Sequence, residues 1–369
     1  MKVESVDLLR AVKACSAAIP RFPTRPEYGR IRIRVGWTSQ PCVEVFNGND
    51  MIRVITDIQY EDGERLDCVV EPKPLIAWLD YADEEISIEM RNGKLLLVGA
   101  TSTELPPDTA FFPTREAPED AEWFVLEKDD WGYLSGFTGT DPIGDVDVGA
   151  LHLFSGDPPH AMTTESHKFA IVKLRGTVTE DRIVPGNQID IAFRAVSSIH
   201  PDTESIRVQL LDSGYYVESD MVQVWLADSA TQTVIRGHYK QIVSMPPAFM
   251  KVDTSEIKPA LKAVLGSALT KKQQETMRAK FFTFDGFLFI TESSQDFRIN
   301  SKPLCKANVE IPLEFSQTMV NAQYLYDIVS NVSGPLEFMK DPREGPTEFI
   351  VRDESRIGFV LPMQEKKRN

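Results

Sequence analysis

The side chains that could do chemistry are few and badly spaced for it. The four cysteines, Cys15, Cys42, Cys68 and Cys305, lie far apart and form no CxxC pair, and no histidine stands at metal-ligand spacing. Such cysteines read as reduced, mostly buried thiols. The chain has no GxSxG nucleophile turn, no phosphate-binding P-loop, no dinucleotide-binding glycine fingerprint and no HExxH zinc motif. Asp129-Asp130 is an acidic pair, but nothing places a base or nucleophile near it. The sequence therefore predicts no catalysis, no metal and no cofactor, and leaves charge and surface as the means of action.

The formal net charge is -15, which by itself argues against coating a polyanion. Its distribution matters more than its sum. Segments 1–34 and 251–280 are locally basic, and segment 116–147 is strongly acidic. A locally basic, globally acidic protein can attract DNA to one surface and repel it elsewhere, although such runs are also common as solvated helix faces. At 42% hydrophobic and 26% charged, the 369 residues suit a globular protein of two or three domains. No apolar run approaches the ~20 residues a membrane span needs. The start, Met1-Lys2-Val3-Glu4-Ser5, shows no signal-peptide pattern. Both features suggest an intracellular, cytoplasmic protein without membrane contact.

The elements that must carry these residues recur three times. Each unit reads as an amphipathic helix, strands, a Thr-acid step, a strand ending at proline, a second amphipathic helix, and more strands. The first helices are expected at Ser5–Ile19, Lys128–Gly136 and Thr254–Leu269, the last capped by Asp253 or Thr254. The Thr-acid steps are Thr56-Asp57, Thr164-Glu165 and Thr291-Glu292. Prolines close strands at Val69-Val70-Glu71-Pro72, Ile183-Val184-Pro185 and Val309-Glu310-Ile311-Pro312. Second helices follow at Pro74–Ala82, Gln188–Ile199 and Ser316–Val332. The fold class is α+β: three similar domains over 1–118, 122–245 and 250–369, each with two helices on antiparallel sheet. Linkers are expected near Pro113–Glu122 and Ser244–Met250.

Three segments on this repeat are similar to those of a known family. Thr164-Glu165-Ser166-His167-Lys168-Phe169-Ala170 resembles Thr-Asp-Gly-His-Arg-Leu-Ala. Asn321-Ala322-Gln323-Tyr324-Leu325 resembles Asn-x-x-Tyr-Leu. Gly358-Phe359-Val360-Leu361-Pro362-Met363 resembles a closing Val-Val-Met-Pro-Met. The family is the bacterial DNA polymerase III beta sliding clamps, and the resemblance covers essentially the whole chain. It implies the DNA clamp fold and a head-to-tail homodimer, a six-domain ring that encircles double-stranded DNA without reading its sequence. The ring acts as a processivity factor. DNA polymerase and the clamp loader would dock through short linear peptides with apolar and aromatic anchors.

Carried over by motif, the peptide groove would use Thr164, Ser166, His167, Lys168 and Phe169, with Asn321, Tyr324, Phe359, Val360, Leu361, Pro362 and Met363. On pattern alone Phe169, Phe359 and Val360 also fit plain sheet core. DNA would meet Arg10, Lys13, Arg21, Arg25, Lys262, Lys271, Lys272 and Arg278. The dimer contact would join an edge strand near Leu95–Thr103, with Ala100 and Ser102, to a helix bearing Leu265 and Leu269. The sequence departs from the family at Ser166, where a Gly is usual, and at His238-Tyr239-Lys240-Gln241, where the family has Phe-Pro-Asp-Tyr. It also departs in the charged tail Gln364–Asn369. Such divergence suits a distant bacterial clamp or a phage-encoded one. The rival reading is a clamp-fold scaffold that binds peptides and does not encircle DNA.

Overall fold

The computed structural model describes all residues except 20–23, 38–39, 83, 109, 120, 140–147, 166, 228–234, 293–302, 307–318, 342–346 and 364–369. Eight α-helices lie among the described residues: α1 (Ser5–Ser16), α2 (Pro72–Leu79), α3 (Lys128–Ser135), α4 (Gly186–Ile199), α5 (Arg236–Val243), α6 (Thr254–Leu265), α7 (Lys271–Thr276) and α8 (Ala322–Asn331). Among the described residues the strand pairs with a defined register are antiparallel, in keeping with the α+β class. The chain divides into two compact units. One is built from 1–129, 175–179 and 184–231, the other from 130–174, 180–183 and 232–369.

The first unit holds a nine-stranded sheet. Its order is Arg175–Thr177, Trp123–Glu127, Ser205–Leu211, Gly214–Glu218, Val222–Ala227, Met51–Ile55, Cys42–Phe46, Ile31–Val35 and Leu66–Val70. The pairing of Val222–Ala227 with Met51–Ile55 joins the first expected domain to the second in one hydrogen-bonded surface. A four-stranded sheet, Lys2–Glu4, Glu85–Arg91, Lys94–Val98 and Ser102–Leu105, completes the unit. Helices α1 and α4 pack together and against the larger sheet. The α1 stripe of Leu8, Ala11, Val12 and Cys15 is buried, as 3.6-residue periodicity requires. The Cys15 thiol donates to the Val43 carbonyl at 3.3 Å, and burial pushes its pKa up, so it remains a buried thiol.

The second unit repeats the plan. Seven strands of its large sheet run Ala150–Phe154, His160–Thr164, Lys168–Lys173, Arg356–Val360, Phe349–Arg352, Leu336–Phe338 and Met250–Val252. A four-stranded sheet runs Cys305–Lys306, Phe287–Glu292, Arg278–Phe284 and Met319–Asn321. Helices α6 and α8 pack together.

Three expectations about elements need correction. The helix expected to Leu269 ends at Leu265. Gly266 closes it, and the Thr270 capping box, reciprocated by Gln273, starts α7 as a separate helix. The helix expected from Ser316 starts only at Ala322, because Asn321 caps it and Met319–Asn321 pairs as a strand with Arg278–Lys280. The single edge strand expected near Leu95–Thr103 is two strands, and only Ser102–Leu105 forms the edge. Val309–Pro312 lies outside the described residues.

The first unit carries a charged row across its sheet. Gln223, Arg53, Glu44 and Arg32 stand directly opposite one another on four successive strands. Glu44 is fully buried. It accepts from Arg53 Nε at 2.7 Å and lies 3.9 and 3.7 Å from the guanidinium groups of Arg32 and Arg34. Arg53 also reaches the Arg115 carbonyl at 3.4 Å, and Trp225 Nε1 donates to the Glu116 carbonyl at 3.2 Å. The row thus fastens the segment expected to be a linker onto the sheet. Removing a buried charge from such a cluster strands its partners. Glu44→Ala is therefore expected to lower the unfolding free energy by about 3–5 kcal/mol, read as a lower urea midpoint.

Candidate functional site

The second unit contains a cleft of about 850 Å³ lined by His167, Glu275, Thr276, Arg278, Asn321, Tyr324, Lys340, Glu348, Leu361, Pro362 and Met363. Backbone pairing assembles it. Strand Lys168–Lys173 pairs with Arg356–Val360, setting Lys168 opposite Val360 and Phe169 opposite Phe359. Two bonds carry the pairing onward. Leu361 N–H donates to the His167 carbonyl and Met363 N–H to the Met319 carbonyl, each at 2.9 Å. Leu361, Pro362 and Met363 are thereby held half-buried along one wall.

The opposite wall is fixed by a cap. Asn321 Oδ1 accepts from the backbone N–H groups of Gln323 and Tyr324, and its Nδ2 donates to the Glu275 carbonyl at 2.9 Å. One amide therefore starts α8 and ties it to the end of α7. Asn321 lines the cleft, but its side chain is already committed.

Beneath the cleft lies a buried cation. The Lys168 side chain is 6% exposed. Its Nζ donates to the Gly136 carbonyl at 2.8 Å and pairs with Asp327 and Glu165, each at 3.2 Å. The rings of Phe137 and Tyr324 lie 4.9 and 4.8 Å from it. Tyr324 donates its hydroxyl to Glu165 Oε1 at 3.1 Å. Burial, reinforced by the Glu165 charge, pushes the Tyr324 pKa up to about 12, so the phenol remains a donor at neutral pH.

Six of the expected groove residues come together here: His167, Asn321, Tyr324, Leu361, Pro362 and Met363. Five do not reach the opening. Thr164 is buried and donates to the Lys168 carbonyl across its own turn, and Lys168 is buried in the ion cluster. Phe169 and Phe359 are core, edge to face at 5.6 Å, and Val360 is fully buried. Helix α5 lies over this apolar face. His238 stacks on Phe169, Tyr239 stacks on Phe154 with centroids 4.0 Å apart, and Tyr239 Oη lies 3.1 Å from His160 Nδ1. This is the segment in which the sequence departs from the family. Ser166 lies outside the described residues.

Glu275, Thr276, Arg278, Lys340 and Glu348 line the cleft without having been anticipated there. The strand that brings Arg278 opposite Asn321 was not legible. Arg278, expected to contact DNA, thereby comes to line the cleft. Of the other expected DNA contacts, Arg10 and Lys13 lie on the exposed face of α1, and Lys13 pairs with Asp80 at 3.0 Å. Arg25 is exposed beside the Tyr28 ring. Lys262 on α6 and Lys271 and Lys272 on α7 are exposed, and Arg21 lies outside the described residues. At the expected dimer contact, Ser102 lies on the sheet edge and Ala100 is exposed just before it. Leu269 is 89% exposed, whereas Leu265 lies in the core at 4%.

Because Phe169 sits in the core and not at the opening, Phe169→Ala is expected to cost about 3–5 kcal/mol of stability, read by urea unfolding. A mere loss of ligand affinity with unchanged stability would contradict this placement.

The sequence matches no protein-family model and no curated protein. The structure is similar to many solved ones. Similar chains include a proposed DNA polymerase III beta subunit from Eubacterium rectale (TM-score 0.76, 14% identity, 99% of each chain covered). Another is a DNA polymerase III beta sliding clamp from Pseudomonas aeruginosa bound to griselimycin (0.75, 14%, 99% of each chain). A third is a Helicobacter pylori beta clamp bound to a DNA ligase peptide (0.70, 12%, 99% of this chain and 100% of the other). From end to end, this chain has the fold of the DNA polymerase III beta sliding clamps.

Proposed function

We propose that this protein is a DNA sliding clamp, a non-catalytic processivity factor of the bacterial cytoplasm encoded by a bacterium or a phage. Its three domains, 1–118, 122–245 and 250–369, would close head to tail with a second copy into a ring around duplex DNA. Polymerase and loader would dock by short peptides in the cleft beside Leu361–Met363. The likeness to beta clamps over 99% of the chain carries this reading. The ligands bound to two of those relatives, griselimycin and a DNA ligase peptide, support peptide docking.

The net charge of -15 is compatible with this role. A ring is retained by topology, so each phosphate contact can be weak, and weak contacts permit sliding. Arg10, Lys13, Arg21, Arg25, Lys262, Lys271 and Lys272 are the proposed phosphate contacts. The edge strand with Ser102 and the exposed Leu269 are proposed for the dimer contact.

Two measurements test this. Sizing should give a particle of twice the 41.5 kDa chain mass. The protein should stay on nicked circular DNA in the presence of a loader and be lost once the circle is linearised. A monomer that never remains on circles would leave the peptide-binding scaffold as the better account. For the cleft, Leu361→Ala with Met363→Ala should weaken binding of a polymerase-derived peptide about tenfold or more, as expected for truncating two anchors, with the unfolding midpoint nearly unchanged. Unaltered affinity would remove the cleft from the docking role.

A further inference from the structure

We propose that the charged tail Gln364–Asn369 folds back over the cleft and competes with peptide clients for it. The competition rests on the cleft being the peptide dock; the contact between tail and cleft does not.

The tail starts where the cleft wall ends. Leu361, Pro362 and Met363 form that wall, and the Met363 N–H is held by the Met319 carbonyl at 2.9 Å. Gln364–Asn369 lie outside the described residues. Six residues reach at most about 20 Å, more than the width of a cleft of about 850 Å³.

The charges of the two are complementary. The tail carries Glu365, Lys366, Lys367 and Arg368. The cleft carries Glu275, Arg278, Lys340 and Glu348. Lys340 is taken by Glu348 Oε1 at 2.7 Å. Glu348 Oε2 is buried and has no hydrogen-bond partner among the described residues. Glu275 is exposed, its carboxylate has no ion partner among the described residues, and its charge acts on Tyr324 in the same cleft. Two such carboxylates call for cationic donors. Lys366 and Lys367 supply them, and Glu365 can meet the exposed guanidinium of Arg278. Arg278 alone would repel the tail, so the contact depends on Glu275 and Glu348.

A basic tail could also reach for DNA phosphates, but two observations favour the cleft. The net charge of -15 draws cations towards the protein itself. The tail also leaves from the cleft wall, and so short a tether gives an effective concentration in the mM range. A contact with a Kd of about 1 mM, too weak to hold a free peptide, is then occupied most of the time. A client must displace it.

The test compares the unaltered chain with one stopped after Met363. An uncharged, end-capped decapeptide with Leu and Phe anchors is titrated into each by calorimetry. At low salt the stopped chain should bind about threefold tighter, as expected when the tail leaves the site free about a third of the time. At about 1 M salt, where the Debye length is about 3 Å, the two affinities should agree. Lys366→Gln, Lys367→Gln and Arg368→Gln together should reproduce the stopped chain. Trypsin reads the contact without a client. Mass spectrometry should show the tail removed about twofold faster from Glu275→Gln than from the unaltered chain, the size expected for one exposed ion pair. Equal peptide affinities, or a tryptic rate that Glu275→Gln does not change, would overturn the proposal and leave the dock standing. If the stop after Met363 instead weakens retention on circular DNA and leaves peptide affinity unaltered, the tail serves DNA and the proposal falls. If neither chain binds the peptide, the docking reading fails and the competition fails with it, while the tryptic rate still decides the contact.

Discussion

Strand Lys168–Lys173 pairs with Arg356–Val360, and most of what the cleft offers follows from that register. The pairing brings the chain's last described residues beside a turn far earlier in the sequence. Side chains alternate along a strand, so the same register decides which face each residue serves. Phe169, Ile171 and Phe359 go to one face and meet α5 and its neighbours. Lys168 goes to the other and meets Asp327 of α8. A slip of one residue would bury the wrong set on both faces. It would also detach Leu361 N–H from the His167 carbonyl, and with it the cleft wall.

Buried charges then lock what the strands align. Glu44 in the first unit and Glu337 in the second are both nearly inaccessible, and each is held by basic side chains from neighbouring strands. Glu337 pairs with Lys251 at 2.7 Å and with Arg352, and these donors hold its carboxyl below the usual range against the opposing effect of burial. Lys168 is the reverse case, a cation held by two carboxylates and two rings. Each such group is costly to bury alone and tolerable only when every partner is in place. Such clusters add less to net stability than apolar packing of the same volume. An arrangement of the strands that separated the partners would leave a buried charge uncompensated.

The sequence made the repeating elements legible because their signals are local. The α1 stripe, the prolines at Pro72 and Pro185 and the Asp253 cap each act within a few residues. It did not reveal that sheets run continuously across the expected domain boundaries. The pairing of Val222–Ala227 with Met51–Ile55 depends on two edges meeting in space. At the site, motif likeness found His167, Asn321, Tyr324, Leu361, Pro362 and Met363, which share one cleft. It could not separate these from Phe169 and Phe359, since a groove wall and a sheet core have the same apolar, aromatic composition. Arg278 was read as one more basic residue of a basic segment. Only the short strand Met319–Asn321, invisible to periodicity at three residues, sets it in the cleft.

Helix α5 is formed by the segment in which this sequence leaves the family pattern. Without it the sheet face over Phe154 and Phe169 would be bare. The helix places Ile235, Tyr239 and Ile242 on that face, and Arg236 holds its first turn to Asp181 and Ser155. Ile242 is the only buried residue within α5 itself, so the cover is lightly held compared with α4 or α8, which bury stripes of several apolar residues. The apolar surface next to Leu361 is thus already occupied by the chain itself, and the open cleft keeps a modest apolar wall with a polar floor. In a cleft of that kind, differences between ligands arise less from the area they bury than from how their polar groups match the charged residues that line it, because apolar contacts of similar size are nearly interchangeable while a mismatched polar group costs its full desolvation.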